Sequence, residues 1–301
     1  MDDANAPVEE RAALVALLGE AAAADPRLCT GWSAIASEVV RRGSALAVWN
    51  QRHPLSLDGP GESDGALLRA RDRMAGWRTA GIDLLTVLDG RYPLQLRRVQ
   101  HIPSVLFVRG QLLADEVGVS VVGSRQGSVR GHRMTTEIAR GLIEREISVI
   151  SGLALGIDTA AHQATVSAGG RPIGLLGTGI NRVYPAQNRH LHDRVAAAGA
   201  LVSQFMPDAP PDKHAFPMRN ATMSGLGRAS VIVEAGEYSG SRILGRLSLE
   251  QGRPLILTGA VVTSTQWGAE LADRAGVYVA STTAQVLDIV DEVVCDVDAG
   301  T

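Results

Sequence analysis

From Gly81 onward, short apolar runs alternate with segments of helical spacing, and this alternation narrows the folds open to the chain more than any other feature. Runs at residues 82–87, 103–108, 117–122, 148–151, 172–176, 200–205, 230–234, 254–257 and 277–280 have the length and composition of strands. Helical stretches separate most of them, notably at 131–145, 157–168, 187–198, 241–251 and 283–290. A strand that is apolar throughout needs cover on both faces, and intervening helices supply it. The pattern therefore predicts a doubly wound, mostly parallel sheet, an extended Rossmann-like α/β fold. The first 80 residues differ: 12–24, 32–49 and 65–80 read as helical, with a turn cluster at 56–63. The expected division is a small helical accessory domain over 1–80, the α/β domain over 81–296 and a tail at 297–301.

In an open sheet of this kind, ligands bind beyond the carboxyl ends of the strands, near the point where strand order reverses. Glycine and serine concentrate there. The predicted strands run into Gly123-Ser124-Arg125, Ser151-Gly152, Gly177-Thr178-Gly179 and Ser239-Gly240-Ser241. Glycines allow backbone amides to approach a phosphate, and helix N-termini behind them favour an anion. One such turn says little, because strand-to-helix turns are often glycine-rich for packing reasons. Four on one edge point to an anion pocket.

The formal charge is −3, so a nucleic-acid site would have to be a local patch. Such a patch is present: residues 182–228 hold six Lys or Arg against three Asp or Glu, plus His190, His192 and His214. Among the 29 basic residues Lys213 is the single lysine, either a selected compact ammonium or a chance survivor on a solvated loop. It lies in a proline-rich connection with Phe216, Arg219 and Asn220 close behind. Cations beside an aromatic suit a single strand, the cations on phosphates and the ring on a base. The alternative for Phe216 is a core plug.

No catalytic set is legible. Asp158 and His162 read as cap and packing residues on one helix, and Glu234 ends a strand where it can orient a serine or backbone amides. No metal or cofactor is expected. Cys29 and Cys295 have no metal spacing and read as ordinary reduced thiols. The acidic start of the chain lacks the pattern of a signal peptide, and no run of ~18 uncharged apolar residues occurs. A cytoplasmic protein is the expectation.

Over residues 81–294 the chain resembles the DNA-processing protein A (DprA/Smf) family. The resemblance is carried by Tyr92-Pro93, Pro103-Ser104, Arg109-Gly110, Gly123-Ser124-Arg125, Ser151-Gly152-Leu153-Ala154, Gly156-Ile157-Asp158, Ala161-His162, Gly177-Thr178-Gly179, Tyr184-Pro185 with Asn188, Phe216-Pro217-Met218-Arg219-Asn220, Glu234-Ala235 and Ser239-Gly240-Ser241. It implies an extended Rossmann-like fold and a non-catalytic protein that binds and protects single-stranded DNA and helps load a RecA-type recombinase in natural transformation. It also implies a homodimer. By the same resemblance Arg125 and Lys213 hold phosphates and Phe216 stacks on a base. Gly123, Ser124, Ser151, Gly152, Ser239, Gly240 and Ser241 line the pocket, and Arg219 and Asn220 edge it.

The chain departs from the family pattern at Ala221, Thr222-Met223, Arg242-Ile243-Leu244-Gly245 and Thr258-Gly259. The alternative reading is a nucleotide-sensing or nucleotide-processing relative on the same fold. Related "lonely guy" phosphoribohydrolases carry Pro-Gly-Gly-x-Gly-Thr-x-x-Glu, and here Leu244 stands where that glutamate would be. This disfavours the hydrolase and leaves a non-catalytic sensor as the rival.

Overall fold

Continuous apolar runs become strands buried on both sides. The structure, a computed structural model, describes residues 5–24, 30–54 and 62–295. Cys29, the tail at 297–301 and most of the turn cluster at 56–63 lie outside the described residues, as does the side chain of Cys295. Among the described residues one sheet contains β1 (Asp83–Thr86), β2 (Val105–Gly110), β3 (Gly118–Gly123), β4 (Ser148–Ser151), β5 (Pro172–Leu175), β6 (Ala200–Ser203), β7 (Ala229–Glu234), β8 (Leu255–Thr258) and β9 (Val277–Ala280). Their spatial order is β1-β2-β6-β5-β4-β3-β7-β8-β9. Strands β3 to β9 pair in parallel, while β1 and β2 extend one edge in antiparallel fashion. The predicted mostly parallel, doubly wound sheet is what forms.

Alternate side chains of each strand feed opposite layers. Val119 and Val121 of β3, with Val231 and Val233 of β7, pack with Ile138 and Leu142 of α5 (Val129–Ile143) and Val286 and Val290 of α12 (Thr283–Cys295). Val122 and Ile232 point the other way, into a cluster shared with Met223 and Leu226 of α8 (Ala215–Leu226) and Leu244 of α9 (Gly240–Glu250). The same cluster continues through Leu85 and Phe107 to Leu14, Leu17 and Trp49 of the N-terminal helices.

Those helices are α1 (Val8–Ala24), α2 (Thr30–Arg42), α3 (Ala45–Arg52) and α4 (Glu62–Thr79). The stretch 32–49, read from sequence as one helical segment, breaks at Gly43, whose φ is +69°. Ser44 then restarts it, its hydroxyl accepting from Ala47 N at 2.9 Å. Trp77 of α4 meets Phe107 of β2 edge to face at 4.9 Å. Among the described residues, no helix is long and apolar enough to cross a membrane.

Four further helices complete the alternation, α6 (Ile157–Ser167), α7 (Arg189–Ala198) and the pair α10 (Gly259–Ser264) and α11 (Gln266–Ala272), the pair being unforeseen in the sequence. Helix α8 also begins earlier than the proline-rich connection led us to expect. Pro217 falls in its first turn, where the missing N–H removes no helical hydrogen bond. Phe216 thereby sits on the helix and not on a loop.

Candidate nucleic-acid interface

Strand order reverses between β3 and β7, and a crevice opens at their carboxyl ends. A cavity of about 680 Å³ lies there. The β3–α5 turn contributes Gly123, Ser124 and Arg125, helix α8 contributes Phe216, Arg219 and Asn220, and the β7–α9 turn contributes Ser239, Gly240 and Ser241. A smaller space of about 70 Å³ adjoins it, sharing Arg125, Phe216 and Arg219 and reaching Gly152, Gly177 and Tyr184. Residues spread over more than a hundred positions of sequence meet because every contributing loop follows a parallel strand or leads into α8.

Two expected residues stand apart. Ser151 is wholly buried, and its hydroxyl donates to Val121 O at 2.7 Å. It belongs to the sheet and cannot line the pocket, because the last position of β4 points into the protein. Lys213 lines neither space. It is exposed in the turn leading into α8, three residues before Phe216. That turn follows β6, and β6 runs parallel to β5, so Lys213 is on the same edge as Arg125.

The glycines do something other than expected. A side chain at Gly152 would collide with the Arg219 guanidinium, and one at Gly177 with the Phe216 ring. Both glycines make room for α8, not for a phosphate. Arg219 is 8% exposed and donates through Nη1 to Gly152 O and Leu175 O, both at 2.8 Å, and through Nε to Asn220 Oδ1 at 3.0 Å. Asn220 in turn donates to Gly240 O at 3.3 Å, tying α8 to the start of α9. Burial raises the Asp158 carboxyl above its ordinary range, and the nearby Arg219 charge pulls it back. Arg219 is therefore a structural cation of the pocket wall.

The helix N-termini are also unequal. Glu234 accepts from Ser128 N at 3.1 Å and from Ser128 Oγ at 2.9 Å, so the start of α5 already holds a carboxylate. Asp158, in the first turn of α6, accepts from Gly152 N at 3.2 Å and Ala154 N at 3.4 Å. Of these three helix starts, α5 is met by Glu234 from the end of β7 and α6 carries Asp158 in its first turn, while α9 has neither among the described residues. Ser239 caps it, accepting from Ser241 N at 3.1 Å. The anion-favouring end of the crevice is thus the Ser239-Gly240-Ser241 turn. Arg125 and Arg242 are exposed beside it and have no partner among the described residues.

Phe216 is half-buried, its ring tilted against Tyr184 at 5.6 Å between centroids. Tyr184 stands in the Tyr184-Pro185 motif without a role, and Tyr238 directly precedes the Ser239-Gly240-Ser241 motif. A tyrosine inside a Gly and Ser turn was the signal available. The departures from the family pattern divide: Met223 and Leu244 line the crevice and Arg242 stands beside it, while Ala221, Thr222 and Ile243 line a separate apolar cavity of about 600 Å³ between α2 and the α8–α9 pair. Thr258 caps α10 and donates to Val233 O at 2.6 Å.

Beneath the crevice, burial lowers His162 to about 4, with His192 and Arg219 adding to the effect. Burial likewise lowers His192 to about 4. An imidazole free in the unfolded chain takes its proton near 6.5, so between these values the unfolded state binds more protons. Stability is then greatest above pH 6.5 and falls as pH drops toward about 4. The loss approaches ~3 kcal/mol per histidine. Urea midpoints measured from pH 7.5 to 4.5 should show it, and His162→Gln should flatten the decline. An identical decline in the variant would mean that His162 titrates normally.

Known proteins resemble this chain in sequence and in fold. Residues 83–293 match the model of the DNA recombination-mediator protein A family. The DNA processing protein DprA of Bacillus subtilis is 35% identical over 182 residues, covering 60% of this chain and 61% of that protein. That of Streptococcus pneumoniae is 35% identical over 204 residues, covering 67% of this chain and 72% of that protein. Its X-ray structure superposes with a TM-score of 0.64 at 25% identity, over 93% of this chain and 94% of that one. A Helicobacter pylori DNA processing protein A, whose structure addresses its single-stranded DNA binding mode, gives 0.63 at 22% identity, covering 70% of this chain and 96% of that one. The chain thus spans about three fifths of the Bacillus relative's length. With the family model covering all nine strands of the sheet and the helices between them, the chain belongs to the DNA recombination-mediator protein A family.

Proposed function

We propose that this protein binds single-stranded DNA along the carboxyl edge of its sheet, without catalysing a reaction on it. The observation that carries the reading is the crevice itself. The helix start at Ser239-Gly240-Ser241 and the cation Arg125, neither of them met by a carboxylate of the described residues, face one cavity together with the ring of Phe216. Phosphates suit the first two and a base suits the third. Gly123 and Ser124 supply the opposite wall, and Lys213 extends the cationic edge outward. Arg219, Asn220 and Gly152 support the wall from behind. The family relationship adds weight, since the Helicobacter relative is described as a single-stranded DNA binder.

The same proposal extends to protecting the strand, helping to load it onto a RecA-type recombinase, and acting in the cytoplasm in DNA uptake and recombination. Pairing into a homodimer would join two such edges and raise the effective concentration of the second site for one strand. The division into an accessory unit over 1–80 and a binding unit over 81–296 belongs to it as well.

The test is a titration of the pure protein with fluorescent dT oligomers at two salt concentrations. Binding that weakens steeply as salt rises is expected. Uptake of a mononucleotide at micromolar concentration, with no response to the oligomer, would favour the nucleotide-sensing reading and sink this one.

A further inference from the structure

We infer that Tyr238 is a second base-stacking platform of the crevice, placed across from Phe216, so that the site grips a strand through its bases on two sides. The inference rests on the proposed reading of this site as a nucleic-acid edge. Its own evidence is the placement of one side chain.

Tyr238 lines the same cavity as Arg125 and Phe216, yet it is 99% exposed. Its ring makes no hydrogen bond or ring contact with any described residue. A phenol ring in full contact with water contributes nothing to the core, so packing does not explain it. Nor is its loop slack. Ser239 N donates to Gly236 O at 3.1 Å, closing a tight turn with Glu237 and Tyr238 at its tip. Buried Trp267 donates through its indole N–H to Gly236 O at 3.3 Å, anchoring the turn on one side. The Glu237 carboxylate accepts from Gln266 N at 2.8 Å, anchoring it on the other and directing that negative charge to the start of α11. On the far side Arg242 N donates to Ser239 O at 3.1 Å, locking the turn to α9. A fixed turn holds up a free ring.

Such a ring binds flat partners cheaply, because the backbone is already ordered and only two side-chain torsions have to settle. The surroundings select which flat partner. Arg242, four residues on and exposed, and Arg125, across the crevice, are cations without partners among the described residues. The start of α9 directly behind the ring carries no acid. An aromatic platform flanked by phosphate-seeking groups matches an unpaired nucleotide, base on ring and phosphate on cation. Phe216 can offer less of its own ring, since Tyr184 and Gly177 already cover part of it. The two platforms are therefore unequal, with Tyr238 the more open.

The experiment compares Tyr238→Ala, Tyr238→Phe and the wild type on a dT oligomer and on an abasic oligomer of equal length. Loss of one stacked base should weaken dT binding by about tenfold in Tyr238→Ala, with the salt slope unchanged. Tyr238→Phe should restore most of that loss, and Tyr238→Ala should equal the wild type on the abasic strand. Equal dT affinity for Tyr238→Ala and wild type would overturn the platform while leaving the DNA reading intact. Equal loss on the abasic strand would also overturn it, since a base could not then be the partner. A wild type that ignores dT altogether would remove the reading of the site, and this inference with it.

Discussion

Replacing Arg219 with alanine is expected to lower the unfolding free energy by about 3–5 kcal/mol, the largest stability effect of any rim substitution. Three hydrogen bonds go at once, to Gly152 O, Leu175 O and Asn220 Oδ1. Two of those acceptors are backbone carbonyls inside the sheet edge, where water replaces the lost donor poorly. The larger part of the cost is electrostatic. Asp158 is 5% exposed, and its carboxyl is already raised by burial against the pull of Arg219. Without the guanidinium that charge has no cation to offset it, so the carboxyl rises further. An acid raised above its unfolded value costs stability as pH increases through the unfolded value. The electrostatic part of the penalty should therefore shrink as pH falls toward about 4 and be gone well below it, where Asp158 is protonated in both states. Adding Asp158→Asn removes the stranded charge and keeps an acceptor for Gly152 N, so the double variant should recover part of the loss. Urea unfolding of both variants at two pH values reads all of this. A cost below about 1 kcal/mol for Arg219→Ala would place the side chain in solvent and return it to the DNA-contact list.

The contrast between Arg219 and Arg125 shows what a sequence discloses and what it hides. Both read as pocket arginines, Arg125 at the end of a glycine-rich turn and Arg219 behind a proline-rich connection. One is buried and bonded to backbone carbonyls, the other exposed and without a partner among the described residues. Their difference lies in Gly152, which leaves a pit for one guanidinium only, and no spacing rule reveals which side chain fills a pit 67 positions away. The strands were legible because a run apolar on both faces has few other uses, and their carboxyl ends followed with them. The start of α8 was not, because Pro210 and Pro211 and the proline in its first turn imitate a loop. Nor was the occupation of α5 and α6 by the chain's own carboxylates. Glu234 reaches Ser128 across 106 positions, a contact made by the pairing of β3 with β7 and absent from either segment alone. Ser151 failed for a simpler reason. Strand β4 lies inside the sheet and is buried at all four positions, so its last side chain is covered whichever face it takes.

Removing Arg125 and Lys213 together is expected to weaken dT binding by ~100-fold at low salt, about tenfold for each. Both cations are exposed, one in the cavity wall and one on its approach, so each loses little water on meeting a phosphate and each remains open to screening. Their contribution should accordingly fade as salt rises. Each phosphate contact removed from a single strand lowers the log–log salt slope by roughly 0.7, so the double variant should be flatter by about 1.4. Stability should hardly move, because neither side chain supports the fold. This separates the pair from Arg219, whose loss acts on folding, and from the aromatic rings, whose loss acts on affinity with the slope kept. Lys213→Arg sharpens the point. It preserves the charge and exchanges a compact, strongly hydrated ammonium for a flat guanidinium. If the slope survives and the affinity falls, the one lysine in a chain of arginines is there for its shape. If the double variant keeps the wild-type slope, the phosphates run elsewhere on the surface, and the crevice at the β3–β7 reversal is not where the strand lies.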